Sequence, residues 1–284
     1  MPTPVVLSFS GGKDSVLALA RLRASGRWDV RALLAAFIEG EDALVMHEVP
    51  ERLVALQASS LGIPLVGMRV PRAPANAVYE ERLAAALAPL KALGVRHVAF
   101  GDLFLEDIKA YRDALMARLG FDPVYPLWGA DTREMAASFV RDGYRGVTVC
   151  VDATRLGPEW SSREMNAAFF AALPAAVDPC GEHGEFHSFV YDGPGFAYPI
   201  RFEPGATNAR GGFHYAALTP LSGDACARCG ATFECGMKAG VERCWCVDTP
   251  PVKIDAGLAG CLCPRCLQAV AAIDLKRGQT GGGP

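Results

Sequence analysis

A short glycine-bearing loop near the start of the chain constrains the fold more than any other feature. The loop Ser10-Gly11-Gly12-Lys13-Asp14-Ser15 follows the apolar run 5–9, and residues 15–22 then have a helical pattern. A buried strand, a glycine turn and a helix start form a cradle for phosphate oxygens, because a glycine backbone can approach an anion closely and a helix N-terminus is positively polarised. Lys13 adds a full positive charge, and the two serines add hydroxyl donors. The sequence therefore predicts a phosphate-binding loop.

The spacing of this loop separates it from the Walker type. A Walker-type loop has four residues between its first glycine and the Gly-Lys pair, and this loop does not. It is instead similar to the pyrophosphate loop of N-type ATP pyrophosphatases, which split ATP into AMP and pyrophosphate to activate a carboxyl or carbonyl oxygen. The resemblance implies that the ATP phosphates are bound by Ser10, Gly11, Gly12, Lys13, Asp14 and Ser15.

Strand-like and helix-like segments alternate through the first 175 residues. Residues 30–38 form an apolar run that suits a parallel strand buried on both faces, and the helical patterns 51–61 and 106–119 are followed by glycines. This alternation predicts an α/β fold with a doubly wound, mostly parallel sheet that also includes a strand at 145–152. In such sheets ligands bind beyond the carboxyl ends of the strands, where the loop after the first strand lies.

The pattern changes after residue 175. Residues 186–191 and 196–202 flank an Asp-Gly-Pro turn and predict a hairpin, as an antiparallel β addition to the sheet. We expect four segments in the chain. Residues 1–175 form an ATP-binding pyrophosphatase-type α/β domain, and residues 176–222 form a β-rich substrate or acceptor region. Residues 223–277 form a small cysteine-rich zinc-binding domain, and residues 278–284 are a disordered tail.

A second chemical cluster lies in the ten residues from Asp178 to His187, which hold three carboxylates, two imidazoles and a thiol. Such groups can orient ammonia, hold Mg²⁺ or transfer protons near pH 7. Together with the first loop, this run resembles the diphthine–ammonia ligase family, whose second signature usually reads Cys-Gly-Glu-Asn-Gly-Glu. His183 stands where that family has asparagine. The similarity covers residues 4–202 and includes matches at 46–47, 101–103 and 126–128.

The resemblance implies an adenine nucleotide α-hydrolase-like fold and an AMP-forming carboxylate–ammonia ligase. In such an enzyme a carboxylate is adenylated, pyrophosphate leaves and ammonia attacks. The implied catalytic residues are Lys13, Asp14, Glu182, Glu185 and His187. Phe37 would join the nucleotide site, and the acceptor or ammonia would contact Asp102, Asp178, Cys180 and Gly181. The expected ligands are ATP, Mg²⁺, ammonia and a carboxylate-bearing acceptor, either a protein or a small molecule, and a homo-oligomer is compatible with this function.

Eight of the ten cysteines crowd into residues 226–266, and in a reducing compartment such density indicates metal binding. The segment resembles a cysteine-rich module named for its Cys-Trp-Cys core, here at 244–246. Eight thiols fit two tetrahedral zinc sites, although one site with spare thiols, or an iron–sulfur cluster, stays open. One predicted ligand set is Cys226, Cys229, Cys263 and Cys266. The other is Cys235, Cys244, Cys246 and Cys261.

The charge of the chain bears on its partners. A formal net charge of −3 gives no long-range attraction to nucleic acid or an anionic membrane. No apolar run is long enough for a membrane span and no secretory signal pattern opens the chain, so we expect a cytoplasmic protein. Two alternative functions remain. One is a pyrophosphate-loop tRNA sulfur transferase, which is disfavoured because the sequence shows no sign of a basic surface. The other is a nucleotide-binding sensor without turnover.

Overall fold

A parallel sheet forms the centre of the protein. The computed structural model describes residues 1–221, 223–252 and 260–280, with side chains through residue 273. The parallel strands are β1 (Thr3–Ser8), β2 (Trp28–Ile38), β3 (Leu65–Val70), β4 (His97–Ala99) and β5 (Asp122–Val124). Their order is β3-β2-β1-β4-β5, so the chain reverses direction across the sheet between β1 and β4. This doubly wound arrangement confirms the predicted fold class, and it places the loop after β1 at the switch point.

Helices cover both faces of this sheet, because successive strand residues point to opposite sides. They are α1 (Lys13–Ala24), α2 (Glu51–Ser60), α3 (Asn76–Ala92), α4 (Glu106–Leu119) and α5 (Thr132–Arg141). Val5 and Leu7 of β1 belong to the core that includes α1 and α2, whereas Val6 belongs to the core that includes α3 and α4. Pro89 lies inside the last turn of α3 and does not break the helix there.

The helix ends follow local sequence signals. The left-handed conformation of Gly120 ends α4, as the sequence predicts. The carboxylate of Asp131 accepts a hydrogen bond of 2.9 Å from the Glu134 N–H and so caps α5. A short helix, α6 (Ala167–Ala172), begins after Asn166, whose side-chain oxygen accepts from the Phe169 N–H at 3.0 Å.

A second, antiparallel sheet packs on the side of α1 and α2. Its strands are β6 (Arg145–Asp152), β7 (Phe186–Asp192), β8 (Phe202–Arg210) and β9 (Phe213–Pro220), in the order β7-β6-β9-β8. The strand at 145–152 therefore lies in this sheet and not with the parallel strands. The predicted hairpin of 186–191 with 196–202 is wrong, because β7 pairs with β6 and the chain leaves the sheet after it. The hairpin of this region is formed by β8 and β9.

The cysteine-rich tail folds against α2. It contains a small antiparallel pair, β10 (Asp224–Ala225) and β11 (Thr232–Phe233), a 3-10 turn at Trp245–Asp248, and α7 (Pro264–Thr280). The predicted disordered tail overlaps the end of α7 and otherwise lies outside the described residues. Among the described helices, none combines the length and the apolar character that crossing a membrane requires.

Candidate active site and metal centre

The glycine loop is built for close approach to its surroundings. Gly11 has φ of +71°, and a Cβ there would lie 2.4 Å from Oε1 of Gln57. A Cβ on Gly12 would lie 3.0 Å from the carbonyl oxygen of Ser188 and 3.3 Å from Nε2 of His47. Gly12 has extended dihedral angles and precedes the first residue of α1. The loop therefore needs glycine at both positions, and it presents the positive end of α1 at the switch point.

Strand β7 and helix α2 hold this loop from outside the parallel sheet. The Val190 N–H donates to the carbonyl of Gly11 at 2.9 Å, and the Lys13 N–H donates to Oγ of Ser188 at 3.0 Å. Nε2 of Gln57 donates to the Gly11 carbonyl at 2.9 Å and also to that of Val190. Gln57 and Ser188 were missed by the sequence analysis, because neither lies in a motif with the loop and only the fold brings them together.

Lys13 is buried where the two predicted loops meet. Its ammonium group forms an ion pair with Asp14, and the residue as a whole is only 1% exposed. Burial lowers the pKa of Lys13, but the charge of Asp14 and the contact with Cys180 outweigh burial and raise the pKa above its ordinary value. Lys13 therefore stays cationic. It links loop 10–15, hereafter the phosphate-type loop, to the acidic loop that begins at Asp178.

The acidic loop 178–187 is stabilised by its own carboxylates. The Glu185 side chain, 2% exposed, accepts from the Asp178 N–H and the His183 N–H, both at 3.0 Å. The Asp178 carboxylate accepts from the Cys180 N–H at 2.8 Å. Gly181 has φ of +72°, and a Cβ there would lie 2.6 Å from the carbonyl oxygen of Phe186. Glu185 and Asp178 thus fix the loop, which leaves Glu182 as the carboxyl group turned toward Lys13 and Asp14.

Glu182 and Cys180 both favour their neutral forms. Burial, with the nearby charge of Asp14, raises the pKa of Glu182 to about 8, although Lys13 and the Leu103 N–H act in the opposite direction. Burial raises the pKa of Cys180 to about 12, and its thiol donates to the Thr132 carbonyl at 3.3 Å. Glu182 can therefore gain or lose a proton near neutral pH, whereas Cys180 cannot act as a thiolate there.

A cavity of about 230 Å³ opens beside Ser10 at the carboxyl ends of the strands. Its apolar walls come from β2, β3 and the end of β4, with Leu34, Ala36, Met68, Val98 and Phe100. Phe37 is not among them and lies fully buried in the opposite core, because neighbouring residues of β2 point to opposite faces. Phe37 therefore packs in the core here, and its predicted contact with the nucleotide stays a prediction.

Two histidines meet at the polar end of this cavity. The rings of His47 and His187 have centroids 4.6 Å apart. Burial, with the neighbouring His187, lowers the pKa of His47 to about 3, and burial lowers that of His187. Nδ1 of His47 lies 3.3 Å from the Val45 carbonyl and donates to it. Nε2 of His187 is buried and has no hydrogen-bond partner within the described part of the chain, so it is available to a ligand.

Asp102 lies at the edge of the acidic loop. Its carboxylate pairs with Nε of Arg112 at 2.8 Å, and the guanidinium of Arg112 lies 4.4 Å from the ring centroid of Phe100. Asp102 also raises the pKa of Glu182, after the larger effects of burial and Asp14. The structure thus brings together the predicted residues of the two loops and Asp102 around Lys13.

The tail contains a candidate metal centre. Four thiol sulfurs lie within 4.8 Å of one another, a spacing that suits a tetrahedral thiolate site, and they belong to Cys226, Cys229, Cys263 and Cys266. The Cys263 N–H donates to Sγ of Cys226 at 3.3 Å. These are the residues of the first predicted ligand set. Within the described residues no other group of three or more cysteines, histidines or carboxylates meets the same spacing.

The fold and these sites define an α/β protein with a lysine-bearing pyrophosphate-type loop at its switch point and a candidate thiol metal centre in its tail. Comparison with protein families is consistent with this class. The model for the diphthamide synthase N-terminal domain matches residues 3–123, and that for the diphthamide synthase C-terminal domain matches residues 131–213. The chain therefore belongs to the diphthamide synthase family, and the resemblance seen in the sequence is confirmed.

The tail has its own match. The family model called cysteine-rich CWC matches residues 226–268, which include all eight clustered cysteines. A search of curated proteins found no match to the chain.

Proposed function

We propose that the protein is an ATP-dependent ligase that adenylates a carboxylate, releases pyrophosphate and lets ammonia form the amide. The observation that carries this proposal is the burial of Lys13 between Asp14 of the first loop and Cys180 of the second. A cation fixed at this junction can stabilise negative charge that builds up as the phosphates separate, beside the loop that would receive the acceptor.

The residues present fit a nucleotide. The 230 Å³ cavity beside Ser10 offers apolar walls for a purine, and the unpartnered Nε2 of His187 offers a polar contact. Gly11 and Gly12 leave room for phosphate oxygens next to the positive end of α1. Mg²⁺ would enter with ATP as the counter-ion of its phosphates. Asp14 is the carboxylate that the phosphate-type loop would offer to this ion.

Glu182 is the proposed proton carrier of the acidic loop. Its pKa of about 8 allows it to take a proton from ammonium and to keep that proton away from the attacking nitrogen. Glu185 is proposed as a positioning residue, because both of its oxygens are occupied by backbone N–H groups of the same loop. The family name indicates diphthamide formation, and we extend to this chain only the reaction type, with a carboxylate-bearing protein or small molecule as acceptor.

The proposal is tested in cells that lack the protein and express either the wild type or Lys13→Ala. Proteins and metabolites of the two cell lines are compared by mass spectrometry. The expected signal is the small mass decrease that accompanies the conversion of a carboxyl group into an amide. We expect the amide with the wild type and the carboxyl form with Lys13→Ala, whose turnover should fall by about 10²–10³-fold. Lys109→Ala is the matched control, because Lys109 also pairs with a carboxylate, Asp113, but on the outside of α4.

Two results would contradict the ligase. One is the absence of any amide that depends on the wild type. The other is a change in tRNA sulfur content, measured on the same cells, which would favour the sulfur transferase. Calorimetry with a non-hydrolysable ATP analogue and Mg²⁺ provides the binding measurement, and a protein that binds the analogue but shows no Lys13-dependent product would be a sensor.

A further inference from the structure

One wall of the 230 Å³ cavity has a strained backbone. This wall comes from the connection between β2 and α2, and its residues in the cavity are Leu44, Val45, Met46 and His47. Met46 has φ of +65° and Glu48 has φ of +54°, so residues in the left-handed region lie on both sides of His47. Non-glycine residues adopt this conformation at a cost in free energy, and it persists where surrounding contacts hold it. We call residues 44–48 the cavity segment.

The carboxylate of Glu48 connects the cavity segment to both sheets. It forms ion pairs with the guanidinium groups of Arg72 and Arg210. Arg72 follows the end of β3 and also pairs with Glu41, whose Oε1 lies 3.2 Å from Nε of Arg72. Arg210 is the last residue of β8, and its guanidinium lies 5.1 Å from the ring centroid of Tyr215 on β9. Glu48 is therefore held between the parallel sheet and the antiparallel sheet.

These ion pairs act directly on the strained backbone. The Glu48 side chain is 17% exposed, whereas those of its two arginines are 39% and 51% exposed. An isolated surface ion pair contributes little, but a carboxylate shared by two arginines forms a network. The Glu48 N–H donates to the Leu44 carbonyl at 2.8 Å and closes the turn that contains His47. The ring of His47 then packs against that of His187 on β7, so the turn sets one side of the cavity.

We propose that Glu48 is a positioning residue of the nucleotide site. Paired with Arg72 and Arg210, it holds the cavity segment in the conformation that places Met46 and His47 at the cavity wall, so the β8–β9 hairpin contributes to nucleotide affinity. The inference rests on the proposed nucleotide site. Glu48 does not itself line the cavity, and its negative charge opposes the binding of phosphates. Weaker binding after loss of this charge would therefore report the shape of the cavity segment and not an electrostatic attraction.

The test measures the binding of a non-hydrolysable ATP analogue with Mg²⁺ to the full-length protein by calorimetry. We expect Glu48→Gln to bind the analogue about 3–10-fold more weakly than the wild type, because it loses two ion pairs. The double variant Glu48→Gln/Arg210→Gln should bind no more weakly than Glu48→Gln, because both changes remove the same contact. Glu80→Gln is the matched control and should bind like the wild type. Glu80 also pairs with an arginine, Arg118, and accepts from the Tyr111 hydroxyl at 3.1 Å, but it does not line the cavity.

Two further variants separate the backbone conformation from the lost charge. Glu48→Ala and Glu48→Gly both lack the carboxylate, but only glycine adopts φ of +54° without strain. We expect Glu48→Gly to bind the analogue more tightly than Glu48→Ala. The inference would be overturned if Glu48→Gln bound as tightly as the wild type or more tightly, or if alanine and glycine at this position bound equally; the proposed ligase would then stand. A wild type that does not bind the analogue would overturn the inference and the nucleotide site together.

Discussion

The burial of the Lys13 charge costs free energy of folding, so its presence calls for an explanation other than stability. Removing an ammonium ion from water costs several kcal/mol, and one carboxylate rarely repays that cost fully. Lys13 is almost completely buried, with Asp14 as its ion-pair partner and Cys180 beside it. A methionine could fill the same volume without a buried charge. The charge is therefore better explained by a ligand that carries negative charge than by stability.

Gly11 gives a prediction with an internal control. Gly11→Ala and Gly26→Ala both place alanine at positive φ, which costs about 1–2 kcal/mol. Only at Gly11 does the new Cβ meet a neighbour, Oε1 of Gln57 at 2.4 Å, whereas Gly26 has nothing within 4 Å. Gln57 cannot move without weakening its bonds to the Gly11 and Val190 carbonyls.

We therefore expect Gly11→Ala to lose about 1–3 kcal/mol more than Gly26→Ala in urea unfolding, because buried hydrogen bonds are broken. It should also bind the ATP analogue more weakly in calorimetry, while Gly26→Ala binds it like the wild type. Equal losses in the two variants would show that the contact with Gln57 is unimportant.

Glu182 predicts a pH dependence of stability. Its pKa is raised from 4.5 to about 8 by burial and Asp14, so between these pH values the folded protein binds a proton that the unfolded chain has released. The contribution of Glu182 to the free energy of unfolding is therefore present at low pH and is lost as the pH rises toward about 8. Glu182→Gln cannot ionise, and its free energy of unfolding should decline less over this window, so that it becomes the more stable protein above pH 8. Parallel urea-midpoint curves for the two proteins would contradict this prediction.

At the scale of elements, the edge strand β7 supports the phosphate-type loop from the side. Its Ser188 hydroxyl accepts from the buried N–H at the start of α1, and its Val190 N–H reaches the Gly11 carbonyl. Ser188→Ala leaves the Lys13 N–H unsatisfied, which should cost about 1–3 kcal/mol and weaken ATP binding. Ser25→Ala is the control, because its hydroxyl donates to Leu22 at the exposed end of α1. Urea unfolding and calorimetry on both variants provide the comparison, and equal effects would remove β7 from this role.

The same strand shows what sequence patterns can and cannot predict. The loop 10–15 was predictable because all its groups are contiguous, and the end of α4 followed from the glycine at 120. Alternating apolar residues indicated that β7 is a strand, but they do not specify its partner, so a local hairpin was favoured over the distant β6. Gln57, Ser188 and the ring of His47 reach the site from separate elements, and no spacing rule connects them.

At the scale of the whole molecule, the cysteine-rich tail is connected to the phosphate-type loop through α2. The ring of Trp245 lies 5.9 Å from that of Tyr198. The Tyr198 N–H donates to Oγ of Ser60 at 3.0 Å, and the same hydroxyl donates to the Tyr198 carbonyl at 2.6 Å. Ser60 is the last residue of α2, and Gln57 contacts Gly11 from the same helical turn. The tail can therefore influence the site without touching a ligand.

This connection predicts a local effect of metal removal. Chelation of zinc from the reduced protein should loosen Trp245 and the tail, since thiolate sites supply most of the folding energy of small cysteine-rich segments. The amides of α2 should then exchange faster in hydrogen-exchange mass spectrometry. Those of α4 should exchange at the same rate, because α4 packs on the opposite face of the parallel sheet. Restored protection on adding zinc back would exclude irreversible damage. If α2 exchanged at the same rate with and without zinc, the tail would be an independent unit, and any effect on the proposed reaction would have to come through the acceptor.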